Sequence, residues 1–294
     1  MAALEPVEFS EAVQICLAAH MKISFAKSIG FCSGVKRAVL IAENALKEGK
    51  KPVFFLGSLV HNERVVGKFK DKGIRFINKL DDVKSGTVII HAHGVPPVLK
   101  EINKNIVLED ATCPLVKKTQ LVAESLFKDK YQVIIIGDKD HSETKGISGY
   151  ARGKALIIEK SSEVEKLSFF KKIGVVAQTT QNIENVKEVL EKLKEKSKKI
   201  KFINTLCPEV QARQKELASI LTDNDGILVI GSSKSANTKR LVETAEKRNK
   251  KVFFANCSRE LKNLNNVKKL GVVSGTSTPD WVIKEISQTL LDLK

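Results

Sequence analysis

The chain has 294 residues, enough for two or three domains of ordinary size, and its 42% hydrophobic content lets each bury a core of its own. Aromatic residues make up only 5%, with one tryptophan, which argues against a surface that stacks nucleic-acid bases. The net charge of +16 suits an anionic substrate or an acidic electron-transfer partner, but lysines alternate with glutamates along stretches such as 184–201, the pattern of a solvated helical face, so no nucleic-acid partner is expected.

Five cysteines is an odd number, and the first twenty residues lack the basic start and apolar core of a secretory leader. No apolar run reaches membrane-spanning length. A reducing cytoplasm without disulfides or membrane contact is the expected setting. Residues 1–21 read as an N-terminal extension without a catalytic role, because the segment MKISFAKSIGFC from Met21 reads as a natural start of the first domain.

In chain order, strands are expected at 22–27, 52–56, 87–91, 132–136, 155–159, 173–177, 226–230, 251–255 and 270–274. Helices are expected at 35–49, 97–104, 115–129, 184–201 and 209–222. Continuous apolar strands alternating with helical runs predict an α/β fold with parallel sheets covered on both faces.

An internal repeat divides the chain. Cys32, Cys113 and Cys207 each open a Cys-x-x-Val segment that leads into a helix. A glycine follows an apolar run 24 or 25 residues later, at Gly57, Gly137 and Gly231. Polar pairs come next: His61 and Glu63, His141 and Glu143, Ser235 and Asn237. VIIHAHG, GVVAQTT and GVVSGTS close the copies. The boundaries fall at 22–110, 111–203 and 204–294, three similar domains around one site.

Each cysteine directly precedes a helix, a position expected to lower its thiol pKa and suit it to metal ligation. Three unrelated buried thiols would not repeat in phase. A structural zinc wants four ligands, usually with a short-spaced pair, and no C-x-x-C occurs. An iron–sulfur cluster accepts one cysteine from each domain, and a [4Fe–4S] cube with three thiolates leaves one iron open as a Lewis acid. Cys16 and Cys257 lie outside the repeat and read as ordinary thiols. His61, His93 and His141 follow apolar strands. With Ser235, Asn237 and Ser277 they form a donor set that fits a phosphate or diphosphate. Glu143 reads either as a surface carboxylate or as a proton relay in a closed site, and Thr179, after the 173–177 strand, reads as a group to carry a proton onward or hold a substrate hydroxyl. His91 is expected to face the same side of a strand as His93 and to be structural.

GFCSGVKRAV (30–39), VHNERVV (60–66), HAHGV (91–95), EDATCPLV (109–116), DHSETKG (140–146), AQTTQN (177–182), the Cys207 segment with Arg213 and Gln214, SSKSANTKRL (232–241) and SGTSTPDW (274–281) run through the chain in one order. With these segments the sequence resembles the LytB family of 4-hydroxy-3-methylbut-2-enyl diphosphate reductases. The resemblance implies a trefoil of three α/β domains around a [4Fe–4S] cluster held by Cys32, Cys113 and Cys207. It implies diphosphate binding by His61, His93, His141, Ser235, Asn237 and Ser277, a proton-donating Glu143, and a hydroxyl-contacting Thr179. Where the family often carries a second serine the chain has Ala236, which loses a hydroxyl contact and leaves a backbone contact open. The implied reaction removes the allylic hydroxyl with two protons and with two electrons from reduced ferredoxin or flavodoxin, and yields isopentenyl or dimethylallyl diphosphate and water. The competing readings are a nucleic-acid-binding protein, a structural zinc protein and a different iron–sulfur dehydratase that needs no external electrons.

Overall fold

A computed structural model describes residues 15–17, 21–97, 104–248, 250–261, 264 and 267–292. The strands are β1 (Ile15–Leu17), β2 (Met21–Phe25), β3 (Val53–Leu56), β4 (Arg75–Ile77), β5 (Gly86–Ile90), β6 (Ile106–Asp110), β7 (Gln132–Ile136), β8 (Leu156–Ile158), β9 (Ile173–Ala177), β10 (Ile200–Phe202), β11 (Gly226–Ile230), β12 (Lys251–Ala255) and β13 (Lys269–Ser274). The helices are α1 (Ser33–Glu48), α2 (Glu63–Asp71), α3 (Pro114–Lys128), α4 (Ser142–Tyr150), α5 (Ile183–Leu193), α6 (Pro208–Asp223), α7 (Ala236–Glu246) and α8 (Asp280–Asp292). All nine expected strands form, within two residues at either end.

The chain divides into two compact units. Cys32–Gln211 make one, and the described residues up to Phe31 together with those from Ala212 onward make the other. The first unit holds two parallel sheets, ordered β4-β3-β5-β6 and β10-β9-β7-β8. The second holds one sheet, ordered β1-β2-β13-β11-β12, in which only the β1–β2 pair is antiparallel. The first strand of the chain's first repeat therefore pairs with the last strand of its third.

Strands β5, β9 and β11 are buried along their whole length. Their runs of β-branched residues suit a sheet covered on both faces, and each fully buried Ile or Val contributes about 1.5–3 kcal/mol. Four of the described strands are not foreseen: β1 falls in the 1–21 extension, β4 and β10 are three-residue edges, and β6 is an edge of five residues none of which is buried.

The helix expected over 184–201 is corrected. It ends at Leu193, a 3-10 turn spans Lys194–Lys196, and β10 takes Ile200–Phe202. Ser197 is extended, and its hydroxyl bonds both the N–H and the carbonyl of Lys199, which draws the chain out of the helix. Ile200 and Phe202 then pack on the core of the β7–β9 sheet. The helix expected at 97–104 and most of the 1–21 extension lie outside the described residues. No helix among the described residues is long and apolar enough to cross a membrane.

Every repeat glycine and every polar loop lies at the carboxyl end of a strand, where parallel α/β sheets carry their sites. Gly57, Gly137 and Gly231 directly follow β3, β7 and β11. A side chain at Gly137 would come within 2.7 Å of Gln178, which follows β9. The glycine lets two neighbouring strand ends converge.

Candidate active site

The three cysteines sit in one local geometry. The carbonyls of Cys32, Cys113 and Cys207 accept the N–H groups of Lys36, Lys117 and Gln211, each at 2.9 Å, so each cysteine is the last residue before a helical turn closes. A Cβ on Gly34 would lie 2.8 Å from Cys113 Sγ and 4.0 Å from Cys32 Sγ. Both sulfurs thus crowd one point that only a glycine leaves free. Cys207 is close enough to Cys113 for their charges to interact.

The expected lowering of the thiol pKa is corrected at Cys207. Burial pushes this thiol up, and the N–H groups of Val210 and Glu209 that face it do not outweigh the loss of solvent.

The second and third cysteine turns are each held by a loop of the preceding repeat. Cys113 N–H donates to Ala92 O, between His91 and His93, at 2.9 Å. Cys207 N–H donates to Thr179 O, also at 2.9 Å. Arg37 of α1 donates to the carbonyls of Thr112 and Asp110 just ahead of Cys113. In the other unit, Ser274 Oγ accepts the N–H of Gly30 at 2.8 Å, and Arg213 Nη2 donates to Gly30 O at 2.7 Å. The third repeat's loop thus holds the turn that precedes the first cysteine.

The polar loops turn out to be helix N-termini. Asn62 caps α2 by accepting from Arg64 N and Val65 N, His141 caps α4 by accepting from Glu143 N, and Ser235 caps α7 by accepting from Thr238 N. The sequence reading expects no helix at these loops, although it singles out two of the three caps, His141 and Ser235. Helix N-termini present free N–H groups and a positive dipole end, which suits an anion.

His61, His93 and His141 come together in Cys32–Gln211. Their ring centroids lie 4.5 Å (His61–His93), 5.0 Å (His61–His141) and 5.1 Å (His93–His141) apart. His91 and His93 do not lie on a strand as expected: β5 ends at Ile90, and Gly94 N–H closes a turn onto His91 O. Burial holds His93 well below the usual imidazole range, and neighbouring His61, His141 and His91 lower it further. His91 is lowered to about 4, first by burial and then by His61.

One nitrogen from each of the three rings lies within 4.8 Å of the others, a spacing that a metal ion could draw together. The tautomer opposes that use. Nδ1 of His141 accepts the Glu143 N–H at 3.2 Å, so the proton of the neutral ring sits on Nε2. A neutral His141 can then donate only through Nε2. His93 Nδ1 is buried with no partner, a further polar atom that a ligand would satisfy.

Glu143 is 1% exposed, in the first turn of α4. Its Oε1 accepts Thr179 N at 2.6 Å and its Oε2 accepts Thr179 Oγ1 at 3.0 Å. The surface-carboxylate reading is thereby excluded. Because Thr179 O also holds Cys207, one residue joins the carboxylate to a cysteine turn.

In the other unit, Ser235, Ala236, Asn237 and Ser277 are all buried. Asn237 has neither Nδ2 nor Oδ1 partnered. The sequence assigns no role to Ser142, whose hydroxyl lies 3.4 Å from His61 Nε2, or to Gly34. Ser142 could have been found inside the DHSETKG segment. Gly34 carries no signal until Cys113 is placed against it.

A family model described as LytB protein matches residues 23–291. The 4-hydroxy-3-methylbut-2-enyl diphosphate reductase of Dictyoglomus turgidum is 39% identical over 276 residues, covering 93% of this chain and 97% of that one. The enzyme of the same name from Aquifex aeolicus is 36% identical over 279 residues, covering 92% and 96%. Among solved structures, the E-1-hydroxy-2-methyl-but-2-enyl-4-diphosphate reductase from Plasmodium falciparum matches with a TM-score of 0.88 at 34% identity, covering 93% of this chain and 88% of that one. A (E)-4-hydroxy-3-methyl-but-2-enyl diphosphate reductase, described as the terminal enzyme of the non-mevalonate pathway, matches with a TM-score of 0.68 at 35% identity, covering 92% and 99%. With a family match from 23 to 291 and this identity across nearly its whole length, the chain belongs to the LytB family.

Proposed function

We propose that this chain reductively dehydroxylates 4-hydroxy-3-methylbut-2-enyl diphosphate to isopentenyl and dimethylallyl diphosphate, the last step of the non-mevalonate isoprenoid route. The observation that carries the reading is Glu143, buried and bonded through both oxygens to Thr179, in the helical turn after His141. A carboxyl group in that setting can hold a proton for a leaving hydroxyl, and the adjacent imidazoles can hold an anion.

LytB enzymes are iron–sulfur proteins. The residues present fit such a group: Cys32 and Cys113 crowd the point beside Gly34, and Cys207 interacts with Cys113. We assign a [4Fe–4S] cluster to these three thiolates. When bound, it supplies an iron without a protein ligand, able to act as a Lewis acid, and a path for electrons. His61, His93, His141, Ser235, Asn237 and Ser277 bind the diphosphate. Ala236, the first residue of α7, offers its backbone N–H there in place of a hydroxyl. Thr179 holds the substrate hydroxyl, Glu143 gives it a proton, and the substrate's diphosphate helps deliver the second proton to carbon. The allylic C–O bond breaks as two electrons and two protons enter, and the oxygen leaves as water. Reduced ferredoxin or flavodoxin supplies the electrons one at a time in the cytoplasm. The repeats 22–110, 111–203 and 204–294 are the three domains of the trefoil, each contributing one cysteine, and residues 1–21 have no part in the chemistry.

The test is iron, sulfide and zinc analysis of protein purified without oxygen, then a reductase assay with the allylic diphosphate. About four irons and four sulfides per chain with turnover are expected. Zinc without sulfide would discard the redox mechanism. A Cys113→Ser protein with a full cluster and activity would overturn the ligand assignment.

A further inference from the structure

The first and third cysteine turns are joined by one side chain. Ser33 follows Cys32 and opens α1, and Glu209 lies two residues after Cys207 in the first turn of α6. The Glu209 carboxylate accepts the Ser33 N–H, at 3.3 Å through Oε1 and 3.1 Å through Oε2, and also the Ser33 hydroxyl. Helix α1 has no acidic residue in its own first turn, and the Cys32 side chain does not cap it. Glu209 supplies, from 176 residues away, the anion that this helix end takes. The same residue faces Cys207 with its main chain, since the N–H groups of Glu209 and Val210 bond that sulfur. At the second cysteine, α3 has no acidic residue in its first turn.

We propose that Glu209 is a positioning residue that fixes the Cys32 and Cys207 turns against each other and lowers the reduction potential of the cluster they hold. The inference rests on the cluster assignment under Proposed function. Adding an electron beside a fixed carboxylate is opposed by Coulomb repulsion, and outer-shell groups of this kind tune both metal geometry and potential. Glu209 is exposed, so solvent and salt screen its charge and the shift is modest.

The test is a redox titration of the anaerobic holoenzyme, monitored by electron paramagnetic resonance, with Glu209→Gln, Glu209→Asp and Ser33→Ala. In Glu209→Gln the ratio of reduced to oxidised cluster at a fixed poise should rise about threefold, about 28 mV upward for one electron. Added salt should shrink the gap from the wild type. Glu209→Asp, which keeps the charge, should shift less. Ser33→Ala should keep the potential but release iron to a chelator several times faster, because it loses a tie between the turns and no charge. An unchanged potential in Glu209→Gln with full iron would overturn the inference, as would equal, salt-independent shifts in the Gln and Asp proteins. If Glu209→Gln does not retain its cluster, Ser33→Ala decides: faster iron release at unchanged potential supports the positioning role, and release at the wild-type rate overturns it. A wild-type protein without iron and sulfide would remove the proposed function and this inference with it. An intact cluster with an unmoved potential would remove only the inference.

Discussion

Glu143 and Asn237 are equally buried, each 1% exposed, but the protein treats them in opposite ways. Both oxygens of Glu143 are bonded to Thr179, in the unit Cys32–Gln211. Neither amide atom of Asn237, in the other unit, has a partner. A buried polar group without a partner costs about 1–3 kcal/mol. A water, an ion or a ligand can supply the missing bonds. A carboxylate held at fixed geometry by its own fold is suited to manage a proton; an unpaired amide at the start of a helix is suited to receive an anion. The unit Cys32–Gln211 thus satisfies its buried carboxylate from within, and the other unit leaves a buried amide open to a ligand.

The strongest way to break this comparison is Glu143→Gln. It keeps the size and can keep one bond to Thr179, but it cannot give a proton. Turnover should fall by about 10²–10⁴ with iron content unchanged, and normal turnover would refute the assignment.

Acid offers a second test, on the histidines. His91 has a folded-state value of about 4 and His93 lies well below its ordinary value, whereas both titrate near 6.5 when unfolded. The unfolded chain then binds more protons. The stability tied to their neutral forms is whole above about pH 6.5 and drains as pH falls toward 4. His91 alone accounts for about 3 kcal/mol across that window. Melting curves from pH 7 to 4 should show the loss, and added inorganic diphosphate should lessen it by favouring charged imidazoles.

In the other unit, Asn237→Leu separates binding from stability. It should weaken diphosphate affinity roughly 10- to 100-fold, the loss expected for hydrogen bonds to a charged group. Thermal stability without ligand should hold or rise, because an unpaired amide has gone. If affinity is unchanged, Asn237 does not meet the anion. The smallest effect expected is for Gly34→Ala, whose methyl would lie 2.8 Å from Cys113 Sγ. Iron content after anaerobic purification should fall by about half, with the apo-protein folded.

Much of the site was legible because the chain states it three times. The cysteines, the strand-end glycines and the polar loops stand out through their repetition, and the buried strands stand out through unbroken β-branched runs. What was illegible falls into two kinds. Short half-polar edges such as β4 and β10 carry too weak a period to read, and Ser197 stopped a helix that its lysines and glutamates would have continued. The helices at the polar loops carry their signal in the caps Asn62, His141 and Ser235, of which the sequence reading takes His141 and Ser235 for their chemistry alone and gives Asn62 no role.

By itself the sequence determined the alternation of strand and helix, the three cysteines with a helix after each, and the residue types gathered at the strand ends. These come from hydrophobic period and local backbone rules, which act over a few residues. Only the tertiary structure decided that Ala92 holds Cys113, that Thr179 holds both Glu143 and Cys207, and that β2 leaves its own repeat to pair with β13. It alone decided that burial raises the Cys207 thiol and that Glu209 reaches Ser33 across 176 residues. A hydrogen bond between distant segments leaves no local pattern in either, and a desolvation penalty exists only once the surrounding chain has closed over the group.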